Sequence, residues 1–287
     1  MPPLKLLMLH GYTQSGTLFH AKSRALIKHI TKAFPQHEVS AIYPTGPLQL
    51  NPADIPGYEP PLQEGGQQSQ PDDEPLEAYA WYRRSNTADP PLYEGLEGGL
   101  AAIAKVLKDD GPFDGVIGFS QGAAMAAMVA SLLDNGRKEA FARFADPKVA
   151  SEGFDVPQPV AGLPYPTSFE SLSHPPVKFA ICYSGFRSPG PRYRGFYESP
   201  PVQTPVLHVL GSLDAVVDES RSRALIEACA GDPEKENKVV WHPGGHFLPS
   251  QRPYLDAAVR FIRESMEGQG NGKEAQEEDV NDMDLPF

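Results

Sequence analysis

Residues 112–128 of this 287-residue chain read PFDGVIGFSQGAAMAAM, and they are the most informative part of the sequence about its fold. It begins as a short apolar run of the kind that fills a buried parallel strand, and it ends in an alanine- and methionine-rich segment with high helix propensity. Gly118, Ser120 and Gly122 form a Gly-x-Ser-x-Gly pattern at the junction. A sharp strand-to-helix turn that exposes a serine leaves room only for residues without Cβ beside it. The pattern predicts a nucleophile elbow at Ser120; the competing interpretation is an ordinary glycine-rich turn with a solvated serine.

Composition and charge narrow the class of protein. Apolar residues make up 40% of the chain, which is enough for a substantial core, and the formal net charge of −12 argues against nucleic acid or an anionic membrane as a partner. No stretch approaches the length of a membrane-spanning helix, and the apolar run 4–9 is too short for the core of a signal peptide. Two cysteines, Cys182 and Cys229, give neither a disulfide framework nor a metal cluster, so both are expected to be buried apolar side chains. We expect a cytoplasmic protein, with the nucleus as a second location.

Apolar periodicity predicts strands that alternate with helices along the chain. The predicted strands are 4–9, 39–43, the run at 116–117, 177–183, 205–210 and 238–241, and the predicted helices are 18–34, 93–109, the segment after Ser120, 219–230 and 254–266. This alternation predicts an α/β fold in one domain over residues 1–267, with a mostly parallel sheet of about six strands and helices on both faces. In such folds the site lies beyond the carboxyl ends of the strands.

Three segments depart from that pattern. Residues 44–80 hold eight prolines, seven acidic residues and no lysine or arginine, so we expect a long irregular loop. Its middle, 63–73, is expected to be disordered, while its ends could line a pocket anchored by Trp81 and Tyr82. Residues 136–176 begin polar and helical and then become proline-rich; they are a lid candidate or, equally, a tolerated surface insertion. The tail 268–287 carries six acidic residues and one lysine and is expected to be disordered.

A serine nucleophile needs a base within hydrogen-bond reach. Of the eight histidines, His246 lies in the glycine-rich sequence PGGHFLP after the last predicted strand, where glycines let the loop fold back over the elbow. His242 is the rival, but it continues the strand and could simply cap it. His10 is interpreted as a structural loop residue. We prefer His246.

The base must in turn be held by a carboxylate. Asp214 follows the strand predicted at 205–210, at the same edge as the elbow. Asp218 competes, yet it directly precedes the helix predicted at 219–230, where an N-cap explains it. The order Ser120, Asp214, His246 is that of α/β-hydrolases. Backbone N–H groups of Gln121 and of Tyr12, in the loop after the first strand, are the expected oxyanion donors.

Three motifs in this order carry a resemblance: LHGY at 9–12, GFSQG at 118–122 and GHFLP at 245–249. Together they resemble the fungal serine hydrolase family, which is related to the human ovarian-cancer-associated serine hydrolase within the α/β-hydrolase superfamily. The resemblance covers about residues 4–266 and implies a small esterase or thioesterase for alkyl or acyl substrates, with no cofactor or metal. It implies the nucleophile, acid and base at Ser120, Asp214 and His246.

The resemblance indicates the substrate less closely than it indicates the fold and the catalytic residues. Related fungal members release polyketide chains from synthases, which makes an acyl thioester credible, including one carried on an acyl carrier protein. The long segments 44–80 and 136–176 depart from the compact family pattern and would border the pocket. Three functions therefore stay open: a hydrolase of carboxylic esters or thioesters, an acyltransferase that uses the same triad, and a non-catalytic binding module. The intact serine, aspartate and histidine argue against the third.

Overall fold

The computed structural model describes residues 1–52, 55 and 77–268. Ten strands occur there in chain order: β1 (Pro3–Leu9), β2 (Glu38–Ile42), β3 (Leu48–Gln49), β4 (Tyr79–Ala80), β5 (Arg83–Arg84), β6 (Tyr93–Glu94), β7 (Gly115–Phe119), β8 (Phe179–Tyr183), β9 (Val206–Gly211) and β10 (Val239–His242). Six of them form one sheet in the order β10-β9-β8-β7-β1-β2, with every neighbouring pair parallel. The α/β sheet predicted from the sequence is confirmed.

Helices cover both faces of this sheet. They are α1 (Gly16–Ala33), α2 (Leu96–Asp110), α3 (Gln121–Leu133), α4 (Arg137–Phe144), α5 (Pro147–Ser151), α6 (Thr167–Glu170), α7 (Arg194–Tyr197), α8 (Glu219–Glu227) and α9 (Arg252–Glu267). Successive residues of a strand point to opposite faces, so Leu6 and Met8 pack with α1 and α9, while Leu7 and Leu9 pack with α2 and α3. Helix α3 is buried on nearly every side because it lies between the sheet and a further layer of structure.

The winding of the sheet reverses between β1 and β7, and this reversal creates a cleft. The chain leaves β1 toward the face that α1 covers, and it leaves the adjacent strand β7 toward the opposite face, which α3 covers. The loops after two neighbouring strands therefore separate at their carboxyl ends, which is where ligands bind in open α/β sheets. Tyr12 lies in the first of these loops and Ser120 in the second.

Two helices differ from their predicted bounds by three residues at one end. The helix predicted at 93–109 begins at Leu96, because Gly95 has a φ of +82° and Tyr93 belongs instead to β6, where its ring stacks on Tyr82 with centroids 4.2 Å apart. The helix predicted at 219–230 ends at Glu227, because the backbone of 228–230 pairs with Val202. In both places a tertiary contact competes with local helix propensity.

The described ends of the 44–80 segment pack against the domain. Strand β3 pairs with β4, and Leu50, Ala78 and Ala80 are buried between them. Trp81 is fully buried, and its indole N–H donates to the carbonyl of His10 at 2.9 Å. Trp81 is therefore an anchor, as predicted. The predicted disorder at 63–73 and in the tail concerns residues that lie outside the described ranges, apart from Gly268.

The lid candidate, 136–176, packs away from Ser120. Arg137 is buried beyond the carboxyl end of α3, and His174 Nε2 accepts the N–H of Phe113, just before the amino end of β7. The site expected at the carboxyl ends of the strands lies at the other edge of the sheet. The lid assignment stays a prediction.

Two further sequence expectations concern the described residues. Cys182 and Cys229 are both unpaired and buried, as predicted. Within the described ranges, no helix has the length and apolar character that crossing a membrane requires.

Candidate active site

The elbow at Ser120 is a strained turn between β7 and α3. Ser120 has a φ of +55° and a ψ of −117°, and its N–H donates to the carbonyl of Tyr183 at 2.8 Å. A Cβ on Gly118 would lie 2.1 Å from the carbonyl oxygen of Gly122, and a Cβ on Gly122 would lie 2.1 Å from that of Leu9. Real contacts of that kind do not occur, so both positions require glycine. The expectation from the sequence that only residues without Cβ fit beside Ser120 is met at this turn.

His246 links Ser120 to Asp214. Its Nε2 lies 2.9 Å from Oγ of Ser120, and its Nδ1 lies 2.8 Å from Oδ2 of Asp214. A carboxylate can only accept, so Nδ1 carries the proton and Nε2 is left to accept the serine hydroxyl proton. The side chains of His246 and Asp214 are 17% and 7% exposed. The structure thus brings the three predicted residues into one hydrogen-bonded line.

Asp214 is held as a carboxylate by its own loop. Its Oδ1 accepts the N–H groups of Val216 and Val217, both at 2.9 Å. Burial acts to raise the pKa of Asp214, but the hydrogen bonds from Val217, His246 and Val216 outweigh it, and the pKa lies below its ordinary value. An ionised carboxylate beside Nδ1 orients the imidazole and stabilises its protonated form.

The rival residues have other contacts. His242 is the last residue of β10, and its buried ring accepts the N–H of Gly244 at Nδ1. Asp218 is the N-cap of α8 and accepts the N–H of Ser220 at 2.8 Å, as predicted. His10 is buried and donates from Nδ1 to the carbonyl of Gly11, while its Nε2 accepts the N–H of Gly46. These contacts agree with the structural interpretations made from the sequence.

The side chain of Gln121 forms hydrogen bonds that were not predicted from the sequence. Gln121 is the first residue of α3, and N–H groups in a first helical turn have no partner within the helix. Its amide, however, accepts the N–H of Trp81 at 2.8 Å and donates to the carbonyl of Tyr82 at 2.7 Å. The side chain thereby fastens the aromatic anchor to the elbow. The one signal in the sequence was an amide side chain in the first turn of the helix that follows Ser120.

Two cavities meet at Ser120. Both are lined by Tyr12, Ile55, Ser120 and Val216. The first has a volume of about 530 Å³, and its own lining is mainly apolar: Phe19, Phe119, Phe247 and Leu248, with Thr13, Gln14, Lys22 and His246. The second has a volume of about 420 Å³ and is lined by aromatic and basic residues: Tyr82, Tyr93, Phe186, Arg83, Arg84 and Arg221, with Asn86, Gln121 and Val217. An extended substrate can therefore lie on both sides of the serine. In the described part of the chain, no group of three or more His, Cys, Asp or Glu residues could hold a metal ion.

Known proteins resemble this chain over most of its length. Esterase OVCA2 of Danio rerio is 32% identical over 272 residues, which cover 90% of this chain and 98% of the esterase. A Schizosaccharomyces pombe protein named dihydrofolate reductase is 31% identical over 264 residues, which cover 91% of this chain. This chain spans only 47% of that relative, about half its length.

The fold also has a solved counterpart. The crystal structure of Zea mays acyl-protein thioesterase 2 superposes with a TM-score of 0.50 at 19% identity, and the match covers 92% of this chain and 94% of that one. The sequence profile of the serine hydrolase family FSH1 matches residues 1–258. With that match and the relatives above, the chain belongs to the FSH1 serine hydrolase family.

Proposed function

We propose that this chain hydrolyses carboxylic esters or thioesters of alkyl or acyl substrates, with Ser120 as nucleophile, His246 as general base and Asp214 as the orienting acid. The observation that carries the proposal is the hydrogen-bonded line from Asp214 through His246 to a serine on a strained elbow. Membership of the serine hydrolase family supports hydrolysis by a serine nucleophile, and the name of the related esterase supports an ester as the bond that is cleaved.

The geometry accounts for acylation. Oγ of Ser120 attacks the carbonyl carbon, and its proton moves to Nε2 of His246. Asp214 stabilises the imidazolium that results. Negative charge develops on the carbonyl oxygen, where the N–H of Gln121, at the positive end of α3, and the N–H of Tyr12 are the proposed donors. His246 then gives its proton to the departing alkoxide or thiolate, and the acyl group stays on Ser120.

Deacylation repeats these steps with water. A water molecule loses its proton to Nε2 of His246 and attacks the acyl-serine carbon, and the same backbone donors stabilise the second oxyanion. Oγ of Ser120 leaves and takes the proton back from His246. The products are one carboxylic acid and one alcohol or thiol. An acyl chain on an acyl carrier protein would enter as a thioester in the same sequence.

The proposal is tested by labelling with a fluorophosphonate probe, followed by hydrolysis of ester and thioester series of increasing acyl length. Ser120→Ala should abolish labelling and lower kcat by several orders of magnitude, because the covalent step disappears. Ser212→Ala is the matched control, since Ser212 is an exposed serine near Asp214 whose backbone N–H donates to the carbonyl of His242, a bond that alanine retains. Labelling that persisted in Ser120→Ala would move the nucleophile to another residue.

A further inference from the structure

The cavities at Ser120 are basic in an acidic protein. The chain has a formal net charge of −12. Lys22 lines the first cavity and Arg83, Arg84 and Arg221 line the second, whereas no aspartate or glutamate is found among the described residues that line either one. Arg83 is paired with Glu94 at 3.0 Å, so the second cavity owes its charge mainly to Arg84 and Arg221. A cleft whose charge opposes that of the whole molecule concentrates ligands of the opposite sign. The second cavity therefore favours an anion.

Arg221 lies at the wall of this cavity, where its charge interacts with that of Asp218 but it forms no salt bridge with a described carboxylate. Its guanidinium carbon lies 4.1 Å from the centre of the Phe186 ring, and its Nε is buried with no hydrogen-bond partner among the described residues. The neighbouring Arg187, Arg194 and Arg223 each form a salt bridge with a glutamate. Arg221 forms none with any carboxylate in the part of the chain that the structure describes. The guanidinium also hydrogen-bonds the hydroxyl of Tyr93, and its remaining N–H groups face the cavity and are available to a ligand.

Phenol groups lie beside Arg221. Burial raises the pKa of Tyr93, against the opposing effect of the Arg221 charge, so this hydroxyl stays protonated. The hydroxyl of Tyr82 is buried and has no hydrogen-bond partner within the described ranges. The wall therefore presents guanidinium and hydroxyl donors together. Carboxylate and phosphate oxygens are the groups that such donors bind most strongly.

The positions of His246 and Gln121 indicate which part of a substrate enters which cavity. His246 lines the first cavity and not the second, while Gln121 lines the second and not the first. His246 must give its proton to the leaving oxygen or sulfur, so the leaving group points into the first, apolar cavity. The acyl chain is then directed into the second cavity, toward the arginines.

We propose that the arginine-lined cavity binds an anionic group at the far end of the acyl chain, with Arg221 as its main contact. The substrates are then esters or thioesters of acyl chains that end in an acidic group, such as half-esters of dicarboxylic acids. Water adds its hydroxyl group to the acyl carbon and its proton to the leaving group, which yields a diacid and an alcohol or thiol. This assignment rests on the proposed function and names its substrate class.

The test compares substrates that differ only in the charge at the end of the chain. p-Nitrophenyl half-esters of dicarboxylic acids of increasing length are assayed against the corresponding terminal amides, with the rate measured without enzyme subtracted. For at least one length, kcat/KM should be about ten- to a hundredfold higher for the carboxylate, the range expected for a hydrogen bond to a charged group. Amides that were hydrolysed as fast as carboxylates at every length would overturn the proposal.

Variants connect this preference to Arg221. Arg221→Gln should lower the carboxylate-to-amide ratio of kcat/KM about tenfold or more, and Arg221→Lys should retain part of it because the charge remains. Arg223→Gln, on the exposed side of α8, is the matched control and should leave both substrates unaffected. An unchanged ratio in a folded Arg221→Gln protein would contradict the assignment.

A second comparison asks whether the anion belongs to the acyl chain or to the leaving group. The coenzyme A thioester of a neutral acyl chain, which carries phosphates on its leaving group, is assayed against the N-acetylcysteamine thioester of the same chain. Arg221→Gln should leave that ratio unchanged; a loss confined to the coenzyme A thioester would place the leaving group in the arginine cavity and overturn the proposal. If no ester or thioester were hydrolysed and Ser120 were not labelled, the proposed function itself would fail.

Discussion

Asp214 and Asp218, on the same loop, have different contacts. Asp214 accepts two backbone N–H groups on one oxygen and contacts His246 with the other, so its orientation is set on both sides. Asp218 is exposed and caps α8. These two acids could be distinguished in the sequence, because Asp214 follows the strand β9 and Asp218 directly precedes the helix α8.

Asp214→Asn should slow turnover by roughly three to four orders of magnitude, because the imidazole loses its orientation and its imidazolium loses a counter-charge. Asp218→Asn should change turnover little, since asparagine caps a helix about as well as aspartate. Steady-state kinetics on both variants with one ester substrate provide the measurement. The reverse result, with Asp218→Asn inactive, would assign the orienting acid to Asp218.

His10 should make stability depend on pH. Burial lowers its pKa from 6.5 to about 4, because the neutral ring accepts the N–H of Gly46 at Nε2 in a buried site. As pH falls from 6.5 to about 4, the unfolded chain binds a proton at this residue and the folded chain does not. The free energy of unfolding should therefore decline over that window, by roughly 3 kcal/mol in total from this group, and be fully restored above it.

His10→Gln keeps an acceptor toward Gly46 but does not titrate, so it isolates this effect. The slope of unfolding free energy against pH, from urea unfolding at several pH values, should be smaller in the variant by up to about 1.4 kcal/mol per pH unit. His208, whose pKa burial lowers to about 3, should contribute equally in both proteins. Identical slopes would show that His10 titrates alike in the folded and unfolded states.

At the scale of secondary-structure elements, α3 separates the site from a buried structural cluster. Ser120 precedes the helix, and Asp134 is its C-cap; thirteen helical residues span about 20 Å. Arg137, the first residue of α4, is 1% exposed and donates to four carbonyls, those of Ser131, Gly195, Pro200 and Pro201. Asp134 lies 3.8 Å from its guanidinium. One side chain thus fastens the start of 136–176 to the domain.

Arg137→Met should destabilise the fold by roughly 3–5 kcal/mol, because it leaves four carbonyls without their donor and removes the positive charge beside the buried carboxylate of Asp134. Lys138→Met is the control: Lys138 is exposed on the same helix, so its effect should stay within about 0.5 kcal/mol. Thermal unfolding measures the first effect, and turnover by the folded fraction should be retained. A melting temperature equal to that of the parent protein would disprove the anchoring role.

At the scale of the whole molecule, the reversal of winding between β1 and β7 does most to place the site. It brings the loop of Tyr12 beside the elbow of Ser120, while the loops after β9 and β10 supply Asp214 and His246 from the same edge of the sheet. The last helix of the described residues, α9, ends at Glu267, and the acidic residues 269–287 lie outside the described ranges. The sheet and its site are therefore assembled from residues that precede the tail.

Cutting the chain after Gly268 should leave melting temperature and turnover nearly unchanged, since the removed residues contain too little apolar surface to pack. Differential scanning calorimetry and ester hydrolysis on the truncated protein measure the two quantities. A fall of many degrees would show that the tail docks on the domain.

Features that depend on neighbouring residues could be predicted from the sequence. The elbow could be recognised because Gly118 and Gly122 flank Ser120 and no Cβ fits there, and α8 could be given its cap because Asp218 precedes it. Alternating apolar runs were enough for the parallel sheet, and a parallel sheet gathers strand ends at one edge, which brought His246 into consideration. Each of these inferences uses contacts within a few residues or a general rule of the fold.

The tertiary structure was needed to see how distant segments contact one another. It showed that the amide of Gln121 fastens Trp81 and Tyr82, that Tyr93 leaves its predicted helix to stack on Tyr82, and that Arg84 and Arg221 line one cavity. The spacing of residues along the chain carries no information about such contacts between distant residues. They depend on how the loops between strands pass over the sheet, and that path is set by packing of the whole domain rather than by local propensity.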